Sequence, residues 1–157
     1  MARMGSEMAR ILVADDDADI RQLVIFSLAD EGHEVSIAKD GREAVEHVES
    51  TRPDLLILDI MMPELDGYQV LEAMGERGLL ESTKVLVLTA KGSERDWKLG
   101  YDLGAHRYMT KPFDPDELLA IIGDLLGSSP EELAAKREQE QDRANLLSQL
   151  ESIFGDS

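Results

Sequence analysis

Residues 54–67 read DLLILDIMMPELDG, and the reading of this stretch decides the fold. Leu55, Leu56, Ile57 and Leu58 are apolar in unbroken succession, without the alternation of a strand that keeps one wet face. Such a run suits a central parallel strand covered on both sides. It ends on Asp59, a full negative charge. A carboxylate at the end of a buried strand is costly unless something pairs with it. The stretch therefore predicts a parallel sheet and, at its edge, a place where charges meet.

On either side of it, apolar strands alternate with amphipathic helices. RILVA (10–14) reads as a strand, and Ile20, Leu23, Val24, Ser27 and Leu28 then share one helical face. EVSIA (34–38) is a second strand, followed by a helix marked by Ala44, Val45 and Val48. After the run at 55–58, Tyr68, Val70, Leu71 and Met74 mark a third helix that ends near Gly75 and Gly78. KVLVLTA (84–90), a helix over about 93–103, HRYMT (106–110) and PDELLAIIGDLL (115–126) complete the series. Five strand–helix units in about 120 residues imply a parallel sheet with helices on both faces. In such folds the site lies beyond the carboxyl ends of the strands.

After Gly127 the composition changes. Ser129 suits a helix cap and Pro130 the first turn. Residues 131–143 are polar nearly all round, although Glu132 and Lys136 are spaced to support a helix. Leu146, Leu147, Leu150, Ile153 and Phe154 then form one apolar stripe. The expected organisation is a flexible leader over 1–8, one α/β domain over 9–127 and a helical extension over 128–157. A bare stripe seeks a partner, so a homodimer through the C-terminal helix is expected, with packing on its own domain as the other arrangement.

The hydrophobic content of 43% supports one core, and aromatics at 4% leave aliphatic side chains to fill it. A formal charge of -17 argues against a sequence-independent grip on nucleic acid and against anionic membrane surfaces. With no cysteine there is neither a disulfide nor a thiolate site. No apolar run approaches the ~20 residues of a membrane span. The cytoplasm is the expected compartment.

The strand ends carry the chemistry. The first ends in Asp15, Asp16 and Asp17, the third in Asp59, the fourth in Thr89, and the fifth runs into Lys111 and Pro112. A parallel sheet brings them to one edge. Converging carboxylates need a cation, and oxygen ligands without His or Cys suit Mg²⁺. Asp59 is then a plausible nucleophile toward a phosphoryl group. Lys111 would balance charge on that group, and Thr89 would donate to one of its oxygens. His33, His47 and His106 have no metal spacing, and Trp97 reads as a packing or surface residue.

ILVADDDADIRQL, DLLILDIMMPELDGYQVL, VLVLTAK and YMTKPF, in that order, resemble the receiver domain of bacterial two-component response regulators over about residues 9–127. The resemblance implies a doubly wound, flavodoxin-like receiver fold, a five-stranded parallel sheet of strand order 2-1-3-4-5, here with an additional C-terminal helix. It implies that Asp59 accepts phosphate from a sensor histidine kinase or phosphotransfer protein. Asp16, Asp59 and the backbone carbonyl of Met61 would bind Mg²⁺, Asp15 acting mainly through a water. Lys111 would contact the phosphoryl oxygens, and Thr89 and Tyr108 would form a switch pair. The Lys111–Pro112 peptide would be cis. Met61 and Lys91 would flank the path of attacking water. Output would pass by protein contact to a downstream target, with no direct nucleic acid or membrane partner.

Two other functions share the residues: a Mg²⁺-dependent aspartyl-phosphate phosphatase or phosphotransferase acting on a small molecule, and a flavin binder. The first also needs an acid–base group for its leaving alcohol. The second wants a loop free of the three Asp after the first strand. Where transcriptional receivers carry a charged dimer seam, this chain has Ile121, Gly123, His106 and Arg107. An exposed Ile121 beside Leu125 and Leu126 is expected to want an apolar partner.

Overall fold

The computed structural model describes residues 9–90, 94–127 and 130–154. The leader expected over 1–8 and Lys91 lie outside the described residues, as do the side chains of Glu132, Lys136 and Phe154. In chain order the elements are β1 (Arg10–Ala14), α1 (Ala18–Asp30), β2 (Glu34–Ala38), α2 (Gly41–Thr51), β3 (Leu55–Leu58), α3 (Gly67–Glu76), β4 (Lys84–Thr89), α4 (Glu94–Asp102), β5 (Arg107–Thr110), α5 (Pro115–Gly127) and α6 (Pro130–Phe154). The strands form one parallel sheet in the order β2-β1-β3-β4-β5. This is the expected flavodoxin-like receiver fold with an additional C-terminal helix.

Alternate side chains of the strands feed two apolar layers. Ile11, Val13, Leu55, Ile57, Leu86 and Leu88 meet α1 and α5 through Val24, Leu28, Leu118, Ile122 and Leu125. Leu12, Leu56, Leu58, Val85 and Val87 meet α2, α3 and α4 on the other face. All four residues of β3 are buried, as the unbroken run demanded. The two edge strands differ from this. Along β2, Glu34 and Ser36 are exposed, and on β5 Arg107 pairs with Asp124 of α5 at 3.6 Å.

Two expectations about helix faces change. Leu23 shares the stripe of α1 yet is exposed, because Val24 and Leu28 already fill the space under the helix. Ile121, read as exposed, is partly buried against the α1–α5 layer, and Leu125 is fully inside it. The reason is that α5 packs against α1 as well as the sheet. Lys84 Nζ also reaches the Leu125 carbonyl at 2.8 Å.

Two histidines secure the amino edge of the sheet. His33 Nδ1 accepts from the Ala9 N–H at 3.1 Å, just before β1. His106 Nδ1 accepts from the Val85 N–H at 3.0 Å, inside β4. Each imidazole serves a backbone donor.

The extension is a continuous helix that packs on α4 of its own chain. Gln141 meets Asp102 at the end of α4, and Ala144, a turn later, is buried in the layer that holds Tyr101 and Tyr108. The predicted stripe splits: Leu147 turns partly inward, whereas Leu146, Leu150 and Ile153 stay exposed.

Candidate functional site at the carboxyl edge

Asp15 and Asp16 follow β1 directly, Asp59 follows β3 and Lys111 follows β5. The register of β1 with β3 pairs Ala14 with Leu58, so the residues after them arrive side by side. Carboxylate oxygens of Asp15, Asp16 and Asp59 lie within 4.8 Å of one another. Lys111 Nζ donates to Asp15 Oδ2 at 2.7 Å and to Asp59 Oδ2 at 3.3 Å. Asp15 and Asp59 are buried and Asp16 is exposed, so the cluster opens to solvent on one side.

Local structure holds each group. Asp17 caps α1, accepting from the N–H groups of Asp19 and Ile20 at 2.9 and 3.4 Å. Its own N–H donates to Asp15 Oδ1 at 2.9 Å, and Arg21 Nη1 donates to the Asp15 carbonyl at 2.7 Å. The first turns of α1 thus set the position of Asp15. On the other side, the Met61 N–H donates to Asp59 Oδ1 at 3.3 Å. Asp66 and Gln69 form a reciprocal capping box at the start of α3. A Cβ at Gly67 would lie 2.6 Å from the Asp59 carbonyl oxygen, so only glycine lets α3 approach the strand end this closely.

The charges are unbalanced. Burial raises the Asp15 carboxyl above the usual carboxylate range, against the lowering hydrogen bonds from Lys111 and Asp17, and the Asp59 charge adds to the rise. Burial works to lower Lys111, but its bond to Asp15 and the charges of Asp59 and Asp15 outweigh that and hold the ammonium above its ordinary value. Three carboxylates against one ammonium leave two negative charges. The donor set is oxygen throughout, with one exposed face. A divalent cation of the Mg²⁺ type fits both the deficit and the ligand chemistry.

Thr89 is fully buried at the end of β4, and its carbonyl accepts from the Lys111 N–H at 2.9 Å. Tyr108 sits in β5, three residues before Lys111, with its ring buried toward α4. The ring centroid is 5.1 Å from that of Trp97 and 6.4 Å from that of Tyr101. The Lys111–Pro112 peptide is cis. The Met61 side chain is exposed beside the cluster. Asp15, Asp16, Asp59 and Lys111 thus form one group, which Thr89 joins through the backbone, and Tyr108 lies behind it. Arg21 and Gly67 were not anticipated as parts of the site. Their signal, an arginine one turn into the first helix and a glycine after a capping Asp, is too common to be read alone.

A carboxylate with one oxygen on a lysine, in a cluster that opens to solvent at Asp16, is suited to attack an electrophile that carries negative charge, such as a phosphoryl group. The response regulator receiver domain family matches residues 11–123. The alkaline phosphatase synthesis transcriptional regulatory protein PhoP of Bacillus subtilis is 43% identical over 126 residues, 80% of this chain and 51% of that protein. The chain thus spans about half the length of the curated relatives it matches. Among solved structures, the chemotaxis response regulator CheY4 of Vibrio cholerae is 36% identical with a TM-score of 0.71, covering 75% of this chain and 98% of that one. The response regulator TrrA of Thermotoga maritima, solved in complex with Mg(2+)-BeF, is 36% identical with a TM-score of 0.67, covering 75% and 99%. With the fold, the acidic corner and these matches in agreement, the chain belongs to the response regulator receiver domain family.

Proposed function

We propose that the protein is a phosphoacceptor response regulator of a two-component phosphorelay, taking a phosphoryl group on Asp59 in a Mg²⁺-dependent reaction. The observation that carries this reading is the buried Asp59 carboxylate held at 3.3 Å by Lys111 next to two further acids. An Asp59 oxygen attacks the phosphorus of a phosphohistidine on a sensor kinase or phosphotransfer protein. The O–P bond forms as the P–N bond breaks, and the electron pair returns to the donor imidazole. Lys111 offsets charge on the transferred oxygens, and Thr89 donates to one of them. Thr89 and Tyr108 are the pair that carries the change outward.

Asp16, Asp59 and the Met61 carbonyl would hold Mg²⁺, with Asp15 acting through a water. Bound there, the ion would neutralise the excess carboxylate charge and polarise the phosphoryl oxygens. The Mg(2+)-BeF complex of TrrA supports this assignment. The protein turns over no external substrate; it catalyses its own phosphoryl transfer and dephosphorylation. Output passes to a protein target in the cytoplasm, since a chain of charge -17 is poorly suited to phosphate backbones or anionic lipid. A second copy of the chain covers Leu146, Leu150 and Ile153. Asn145, Gln149 and Ser152 beside that stripe carry no charge, so the apolar part of the face brings no carboxylates together, and exposed Asp142 stands one turn before it.

Intact-protein mass spectrometry after acetyl phosphate and Mg²⁺ tests the assignment. One added phosphate is expected, absent from Asp59→Asn. Equal labelling of Asp59→Asn would place the acceptor elsewhere.

A further inference from the structure

The side of α6 nearer α4 carries Gln141, the buried Ala144, and the partly buried Leu147, Ser148 and Glu151. Gln141 hydrogen-bonds Asp102, and Ala144 is 2% exposed within the layer that holds Tyr101 and Tyr108, against which Trp97 also packs. Beneath this contact α4 rests tightly on the Tyr108 ring. A Cβ at Gly100 would lie 3.2 Å from Tyr108 Cε2, so the ring cannot shift toward α4 without moving the helix. From Tyr108 the strand runs three residues to Lys111, whose ammonium bridges Asp15 and Asp59. One short strand therefore joins the acidic corner to the ring, and α6 sits on the far side of the helix that covers the ring.

The docking of α6 is poorly satisfied. Its one fully buried apolar side chain among those described is an alanine, while Leu146, Leu150 and Ile153 face outward. Trp97 Nε1 and Glu151 Oε1 are buried without a hydrogen-bond partner among the described residues. Buried polar atoms of this kind favour any state in which water reaches them. A contact so balanced responds to small changes in the surface under it.

We propose that α6 is a releasable cover on α4, and that a phosphoryl group on Asp59 shifts it toward the undocked state. This deepens the proposed function and rests on Asp59 being the acceptor. New phosphoryl oxygens beside Lys111 compete for the ammonium now shared by Asp15 and Asp59. Lys111 and the end of β5 adjust, Tyr108 follows, and α4 shifts under α6. Undocking hydrates Trp97 Nε1 and Glu151 and opens the α4 surface to a partner.

The full-length chain, treated with acetyl phosphate and Mg²⁺, is followed by hydrogen–deuterium exchange over residues 140–153 and by the emission of Trp97, the only tryptophan. Intact mass on the same sample reports the added phosphate. Exchange at least about fivefold faster and a red-shifted emission are expected, with neither change in Asp59→Asn. Phosphate present with exchange unchanged or slower overturns the release and leaves the proposed function standing. Absence of phosphate overturns both. Linkage supplies a second arm: Ala144→Arg, which undocks α6 by bulk and charge, should bind beryllofluoride with Mg²⁺, an equilibrium mimic of the phosphoryl group, more tightly than wild type. Equal or weaker binding in a variant whose α6 exchanges fast also overturns the coupling.

Discussion

The helices α5 and α6 are neighbours in the chain and both carry apolar stripes, yet they bury them very differently. On α5, Leu118, Ile122 and Leu125 are all 1% exposed or less and interlock with Ile57, Leu86 and Leu88 of the sheet. On α6, the corresponding place is taken by Ala144, while Leu146, Leu150 and Ile153 are exposed. The difference lies in the receiving surface. A sheet face offers a row of branched side chains with gaps between them, which a helix stripe can fill. The surface of α4 is already occupied by Trp97 and Tyr101, backed by Tyr108, and leaves room for a methyl group. How much a helix buries is thus decided by what its partner has left open. In consequence α5 is part of the fold and α6 rests on it.

The largest effect that would sharpen this contrast is on α5. Ile122→Ala should lower unfolding stability by about 2–5 kcal/mol, read from the urea midpoint of the full-length chain. A loss as small as that of a surface change would mean that α5 is no better anchored than α6.

The alkaline titration of Tyr101 comes next. Burial, with the Glu140 carboxylate of α6 adding to it, pushes this phenol up to about 12 from an ordinary value of 10.0. Between those values the unfolded chain has lost a proton that the folded chain keeps, so stability is intact below pH 10 and falls as pH rises toward 12. Tyrosinate absorbance should show one of the three tyrosines titrating late, and earlier in Ala144→Arg. If Ala144→Arg leaves that titration in place, α6 contributes nothing to the enclosure of Tyr101.

The smallest stability effect belongs to the outer stripe. Leu150→Ser should change unfolding stability within about 0.5 kcal/mol, because the side chain is exposed. It should nonetheless reduce the mass seen by light scattering if a second copy sits on the stripe. A dimer untouched by Leu146→Ser and Leu150→Ser together would have its interface on another surface.

Much of this was legible in the sequence because the signals are local or periodic. The unbroken run at 55–58, the acids after 14 and 58 and the lysine at 111 lie where a parallel sheet must gather them. Strand and helix boundaries fall within a residue or two of their turn and cap signals. What was not legible depends on contacts between distant segments. Gly67 matters because it lies against the backbone of Asp59 and Ile60, which no local pattern announces. The stripe of α6 was visible and stays largely exposed, but the contact with α4 was not, because it falls on Gln141 and the buried Ala144, which no apolar pattern marks. Ile121 was misread because its burial comes from packing against the α1–α5 layer, a contact between distant segments.

The edges of the sheet bear on what kinds of assembly are open to this molecule. The outermost strands are short, five residues in β2 and four in β5. Each carries charge, exposed Glu34 at one side and Arg107, tied to Asp124, at the other. Short, charged edges disfavour the addition of a foreign strand, whether from a binding peptide or from another copy on the way to a fibril. Recognition is left to helical surfaces, whose contacts can separate again, as a sheet that grows cannot.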